Sequence, residues 1–91
     1  MHWRLFATLA ETAGKREVTL DIDGSATLRE AFDALLERHP ELEAEVLDND
    51  EALYDHVRLL VEGSDPFTDA GWATTVDDGT ELALFPPVSG G

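Results

Sequence analysis

Thr27-Leu28-Arg29-Glu30 has the pattern that opens a helix. The Thr27 hydroxyl can accept from the Glu30 amide while the Glu30 carboxylate reaches back to the Thr27 amide, satisfying two orphaned N–H groups at once. Leu28, Ala31, Phe32, Leu35 and Leu36 then recur at i, i+3, i+4, i+7 and i+8, a full apolar stripe. Pro40 disfavours helical geometry at His39, so the spacing predicts a helix over 28–38. Such a stripe needs an apolar surface to cover. In a chain of 91 residues there is room for one core only, so that surface must come from the remaining segments of the same domain.

The remaining segments read mostly as strands. His2-Trp3-Arg4-Leu5-Phe6 alternates apolar with polar residues, and Glu17-Val18-Thr19-Leu20-Asp21-Ile22 does so cleanly, with a turn at Asp23-Gly24. Residues 7–13 are Ala/Leu-rich, enough for a short helical turn before Gly14. Residues 40–47 suggest a second short helix or turn with Leu42, Val46 and Leu47 inward, followed by an acidic loop over 48–55. Val57-Arg58-Leu59-Leu60-Val61 reads as a central strand. Residues 64–78 read as loop with one short strand or helical turn. Glu81-Leu82-Ala83-Leu84-Phe85 is the last strand, because Pro86-Pro87 cannot donate to a ladder. The first and last strands are apolar enough to be central. The predicted fold class is α+β, an open mixed sheet around one main helix.

Charge limits the partners. Six Lys and Arg stand against 20 Asp and Glu, a net −14. Phosphate backbones and anionic membrane surfaces are met through Lys/Arg clusters, so no nucleic acid and no membrane is expected as partner. The excess of carboxylates fits a high-salt cytoplasm, since the Debye length falls from about 10 Å at 0.1 M salt to about 3 Å at 1 M. A higher melting temperature in molar KCl than in dilute buffer is the expected signature. No apolar run approaches membrane-spanning length and no signal-peptide pattern opens the chain, so the expected location is the cytoplasm.

Catalytic constellations are scarce. There is no cysteine, which excludes a catalytic thiol and Cys-ligated metals. His2, His39 and His56 are far apart in sequence; Asp55-His56 could pair, but no nucleophile is implied beside them. Asp48-Asn49-Asp50 and Asp21-Ile22-Asp23 lack the glycine and distal glutamate of an EF-hand loop. The chain is therefore read as no enzyme, with no metal and no bound cofactor.

The end of the chain carries chemistry of another kind. From Leu82 to Gly91 no side chain is charged. Pro86-Pro87 stiffens the base of a six-residue tail (86–91) with a reach of about 20 Å at roughly 3.3 Å per residue. Gly90-Gly91, without side chains, can enter a channel too narrow for other residues. These properties suit a terminal carboxylate that is inserted into a partner's site.

Leu84-Phe85-Pro86-Pro87-Val88-Ser89-Gly90-Gly91 resembles the ending of the MoaD/ThiS sulfur carriers, and most closely that of the ubiquitin-like small archaeal modifier proteins. Leu5-Phe6-Ala7, Ala13-Gly14, the helix start at Ala26-Thr27 and Tyr54-Asp55-His56-Val57 fall in the family's order. The chain departs from it at Arg58 and Glu62, near which the family often has Asn.

The resemblance implies a β-grasp domain over 1–85 and a flexible tail over 86–91. It implies that an E1-like activating enzyme uses ATP to adenylate Gly91, whose carboxylate is otherwise ionised and a poor electrophile at a pKa near about 3.3–3.7. Two fates follow. One is a thiocarboxylate that serves molybdopterin synthesis beside the synthase large subunit; the other is an isopeptide bond to lysines of target proteins. A domain that only docks, with an incidental tail, is the alternative. Gly90 and Gly91 would be the activated end, and Phe85, Pro86, Pro87 and Val88 the docking residues. If Leu82 and Leu84 point to the helix, alternation turns Ala83 and Phe85 outward; the alternative reading places Phe85 in the core. Lys15, the chain's only lysine, in an exposed Gly14-Lys15-Arg16 turn, is the candidate modification acceptor.

Overall fold

The computed structural model describes residues 1–50, 52–54 and 57–86. Strand β1 (His2–Leu5) leads into helix α1 (Thr8–Ala13), which ends at Gly14 with φ 75°. Strand β2 (Glu17–Thr19) returns antiparallel to β1, pairing Trp3 with Val18. Strand β3 (Ser25–Thr27) precedes helix α2 (Leu28–Arg38). A 3-10 turn (Pro40–Leu42) and helix α3 (Glu43–Val46) follow. Beyond them lie β4 (Arg58–Val61), β5 (Thr75–Asp77) and β6 (Glu81–Phe85).

The main sheet has the order β2-β1-β6-β4, with β1 and β6 parallel at its centre and antiparallel strands on either side. Both central strands alternate as expected: Trp3, Leu5, Leu82 and Leu84 are buried, while Arg4 and Glu81 are exposed. Helix α2 has the predicted bounds. The Glu30 amide donates to Thr27 Oγ1 (3.2 Å), and the Thr27 amide donates to Glu30 Oε1 (3.0 Å). Its Leu28, Ala31, Phe32 and Leu35 enter the core with the inward residues of the sheet, and the Trp3 and Phe32 rings lie 6.3 Å apart. Burial of each large side chain contributes about 1.5–3 kcal/mol. That contribution offsets the entropy lost on ordering so small a chain.

Three readings of the sequence are corrected. The second strand pairs only through Thr19, not to Ile22. The register sets His2 against Thr19 and the Leu20 amide donates to the Met1 carbonyl (2.9 Å), so β1 offers no partner beyond that point. Ser25–Thr27, not foreseen as a strand, pairs with Thr75–Asp77 in a separate two-stranded sheet. Arg58–Val61 is an edge strand rather than a central one. Its end is closed locally by reciprocal Val61–Ser64 backbone hydrogen bonds (2.9 and 3.0 Å), which limits the unpaired edge. The segment 64–78 holds both a strand and two 3-10 turns, Pro66–Thr68 and Gly71–Ala73.

Candidate docking face and carboxylate arm

Strand β6 is held on both sides, Leu84 opposite Leu5 of β1 and Leu59 of β4. With Leu82 and Leu84 fully buried, the strand is a fixed base for whatever leaves its C-terminal end. Alternation turns Ala83 and Phe85 to the other face, as the sequence predicts, and leaves both half-buried. Phe85 is not in the core. Its ring stacks on Phe6, with centroids 4.3 Å apart and planes 10° from parallel.

The register assembles the rest of this face. Arg4, Ala83 and Leu60 form one row across three strands, and Arg58 stands opposite Phe85 in the next. Phe6, Phe85, Ala83 and Leu60 thus make an apolar strip between Arg4 and Arg58. Phe6 alone is 36% exposed. An apolar strip with a charged rim, on a chain this acidic, is the composition of a protein-contact surface. Beside it lies a depression of about 340 Å³ whose lining includes Arg4, Phe6, Glu62 and Glu81. Glu62, at φ 51°, accepts the Glu81 amide on Oε1 (3.1 Å). Both positions of departure from the family pattern, Arg58 and Glu62, are exposed at this side of the sheet.

Arg4, His2, Glu17 and Glu81 on the face are locally paired. The Arg4 guanidinium donates to Glu81 (3.2 Å) and lies 3.9 Å from Glu17. His2 lies between Glu17 Oε1 and Thr19 Oγ1, 3.0 Å from each. The hydrogen bond from His2, then its charge, hold the Glu17 carboxyl below the usual carboxylate range. These groups are open to solvent and weigh little in stability.

Lys15 is exposed, as predicted, where its amide donates to the Ala10 carbonyl after α1 (3.1 Å). Pro86 is half-buried at the root of the tail. Pro87, Val88, Gly90 and Gly91 lie outside the described residues, as do Asp55 and His56. Among the described residues no group of three or more His, Asp or Glu is placed to hold a metal ion. The Asp48 carboxylate instead accepts the amides of Asp50 (2.8 Å) and Ala52 (3.2 Å), closing its own loop. No helix among the described residues is long and apolar enough to cross a membrane. Phe6 and Leu60 were not singled out from sequence as docking residues. The available signal was the alternation of the first strand, which puts Phe6 on the face opposite Leu5.

A mixed sheet wrapped on one capped helix, with a core strand running out into a Gly-Gly terminus, defines a ubiquitin-like β-grasp protein of the carrier or modifier kind. The chain belongs to the ThiS family, whose model matches residues 3–91. It is 53% identical to small archaeal modifier protein 1 of Haloferax volcanii over 91 residues, the whole of both chains. The crystal structure of that modifier from Haloferax volcanii superposes with a TM-score of 0.86 at 50% identity, covering 100% of this chain and 98% of the other. A chain of the Amycolatopsis orientalis BexX/CysO complex, 27% identical, superposes with a TM-score of 0.77, covering 99% of this chain and 98% of that one.

Proposed function

We propose that this protein is a carrier whose Gly91 carboxylate is activated by an E1-like enzyme and then passed either to sulfur or to a lysine. The observation that carries this reading is the position of β6. A doubly paired core strand with Leu82 and Leu84 buried leads directly into Pro86-Pro87-Val88-Ser89-Gly90-Gly91, beside the Phe6–Phe85 strip. The domain, 1–85, supplies a rigid address and the arm, 86–91, supplies the reacting group.

In the first step a Gly91 carboxylate oxygen attacks the α-phosphorus of ATP on the enzyme, and pyrophosphate leaves. The acyl-adenylate now has AMP as leaving group. Hydrosulfide displaces AMP and loses its proton to give a thiocarboxylate, the form that would serve molybdopterin synthesis with the synthase large subunit. Alternatively, displacement by a target lysine amine gives an isopeptide bond, with loss of a proton from nitrogen. Lys15 is the site in this chain where a second copy could be joined. The protein itself holds no cofactor in this scheme; ATP belongs to the enzyme. Phe85, with Phe6, Leu60 and Ala83, is the docking strip, and Pro86, Pro87 and Val88 lie against the enzyme's channel. A relative of this fold in the BexX/CysO complex supports recognition by a protein partner. The setting is the cytoplasm.

Incubation with the cognate activating enzyme, ATP and a sulfur donor tests the proposal. The intact chain gains the mass of sulfur for oxygen or forms covalent adducts, and a chain lacking Gly90-Gly91 does neither. Failure of the intact chain to change would leave a domain that only docks.

A further inference from the structure

A second surface lies on the helix side of the molecule. Arg29, Leu53, Val57, Phe67 and Trp72 are among the residues lining an open groove of about 420 Å³. Trp72 packs on core Phe32 with ring centroids 5.3 Å apart, and Phe67 meets Trp72 edge-on at 5.2 Å. The aromatic wall is thus anchored in the core, yet Phe67 stays 43% exposed at its lip. Among the described lining residues the one charged group is Arg29, whose guanidinium carbon lies 5.3 Å from the centroid of the Trp72 ring.

We propose that this groove is a two-fold interface between copies of this chain. Phe67 of each copy enters the other's groove against Leu53, Val57 and Trp72, and Asp69 of each meets the other's Arg29. Projection is the first argument. The turn Pro66–Thr68 is pinned at its base, where Pro66 is buried and the Phe67 amide donates to Asp65 Oδ1 (2.9 Å). Residues 67–70 are all exposed, so a fixed backbone offers an aromatic side chain to solvent. A side chain held this way has little freedom left to lose on contact. Because Phe67 and the groove share one edge, a two-fold axis beside Phe67 brings each ring over the other groove, and the contact closes at two copies.

Charge complementarity is the second argument. The turn carries an acid on each side of its aromatic, Asp65 and Asp69, and the groove carries one cation among its described residues. Asp65 is engaged by its own loop. Asp69 is exposed and in no ion pair among the described residues. Asp33 is the only acid paired with Arg29 among the described residues, and it meets Nε at 3.4 Å, so the terminal nitrogens can take a carboxylate. Arg29 sits in the first turn of α2, where the macrodipole disfavours a positive charge, so the helix does not account for it. Two copies of net charge −14 repel each other at a distance. Salt removes that obstacle: at about 1 M the Debye length is about 3 Å, while apolar burial and a close, partly buried ion pair persist.

The pairing goes beyond the function proposed above and does not depend on it. It occupies the helix side and leaves the Phe6–Phe85 strip of each copy open. A contact built on one aromatic and one ion pair per copy belongs to the small, transient class of interface, so the expected dissociation constant is on the order of 100 μM in molar KCl.

Sedimentation equilibrium of the full chain tests the pairing. In about 1 M KCl the mass should rise from that of one chain toward that of two between about 10 μM and about 1 mM. In about 0.1 M KCl the dissociation constant should be at least about fivefold larger. Phe67→Ala should weaken association at least about tenfold. Arg29→Asp and Asp69→Arg should each weaken it about fivefold, and the double variant should return to within about twofold of the wild type. Both single changes are on exposed side chains and carry the test even if Phe67→Ala alters the fold. In the wild type the Trp72 indole resonance should move on dilution. A single-chain mass at about 1 mM in molar salt would overturn the proposal. Association unchanged in all three single variants would overturn it too, because the copies would then meet at another face. A double variant no better than either single one contradicts the Arg29–Asp69 contact. A Trp72 signal in the same place at every concentration contradicts the groove as the interface.

Discussion

Leu84 and Phe85 are neighbours in β6 and face opposite sides of the sheet. Leu84 is fully buried in the core, whereas Phe85 lies half-exposed against Phe6. The same alternation separates Leu5 from Phe6 in and after β1. The inner side carries the core, and on the function proposed above the outer side is the one that meets partners.

Substitutions can break that division. The largest effect on stability is expected from Leu84→Ala, at about 2–5 kcal/mol for loss of the buried side chain and the cavity left behind. Each kcal/mol lowers Tm by about 4–8 °C in a domain of this size. Thermal melts check it, and a loss below about 1 kcal/mol would mean that the inner side is not the one carrying the fold. Phe85→Ala should weaken the complex with the activating enzyme by at least about tenfold, about 1.4 kcal/mol, measured by titration calorimetry. Its stability should change by less than the effect of Leu84→Ala; an unchanged affinity would remove Phe85 from the docking strip.

Thr27→Ala tests a part remote from both sides of β6. Loss of the cap should cost about 1 kcal/mol in urea denaturation and leave partner affinity untouched. The smallest effect belongs to the outer face. His2 holds the Glu17 carboxyl below the usual range, chiefly through their hydrogen bond. A carboxyl lower in the folded than in the unfolded chain adds stability above its unfolded pKa and loses it as pH falls through the folded one. His2→Ala should return Glu17 to the ordinary carboxylate range in a side-chain NMR titration, with almost no change in Tm because both groups are solvent-exposed.

The elements legible from sequence are those whose signals are local. Thr27 and Glu30 mark the start of α2 within one turn, its stripe is read within three, and alternation identifies β1 and β6 as the apolar pair. Alternation also gave the outward turn of Phe85. What stayed hidden depends on distant partners. The three-residue strands at Ser25–Thr27 and Thr75–Asp77 are too short for a periodic pattern, and only their mutual pairing defines them. Val57-Arg58-Leu59-Leu60-Val61 is apolar enough to read as central, because the Ser64 closure and the neighbouring Pro66–Thr68 turn that limit its edge are not visible in the run itself. The Phe6–Phe85 stack joins opposite ends of the chain. Likewise, nothing near Arg29 in sequence announces Trp72.

The central claim is that the reacting group of this protein is its last carboxylate. Isotope exchange between pyrophosphate and ATP, catalysed by the activating enzyme, tests it most directly when the intact chain is compared with one ending in a Gly91 carboxamide. The amide keeps both faces and the full length of the tail but removes the attacking oxygen. Exchange with the intact chain and none with the amide is the predicted result. Equal exchange with both chains, or none with the intact chain, would contradict it.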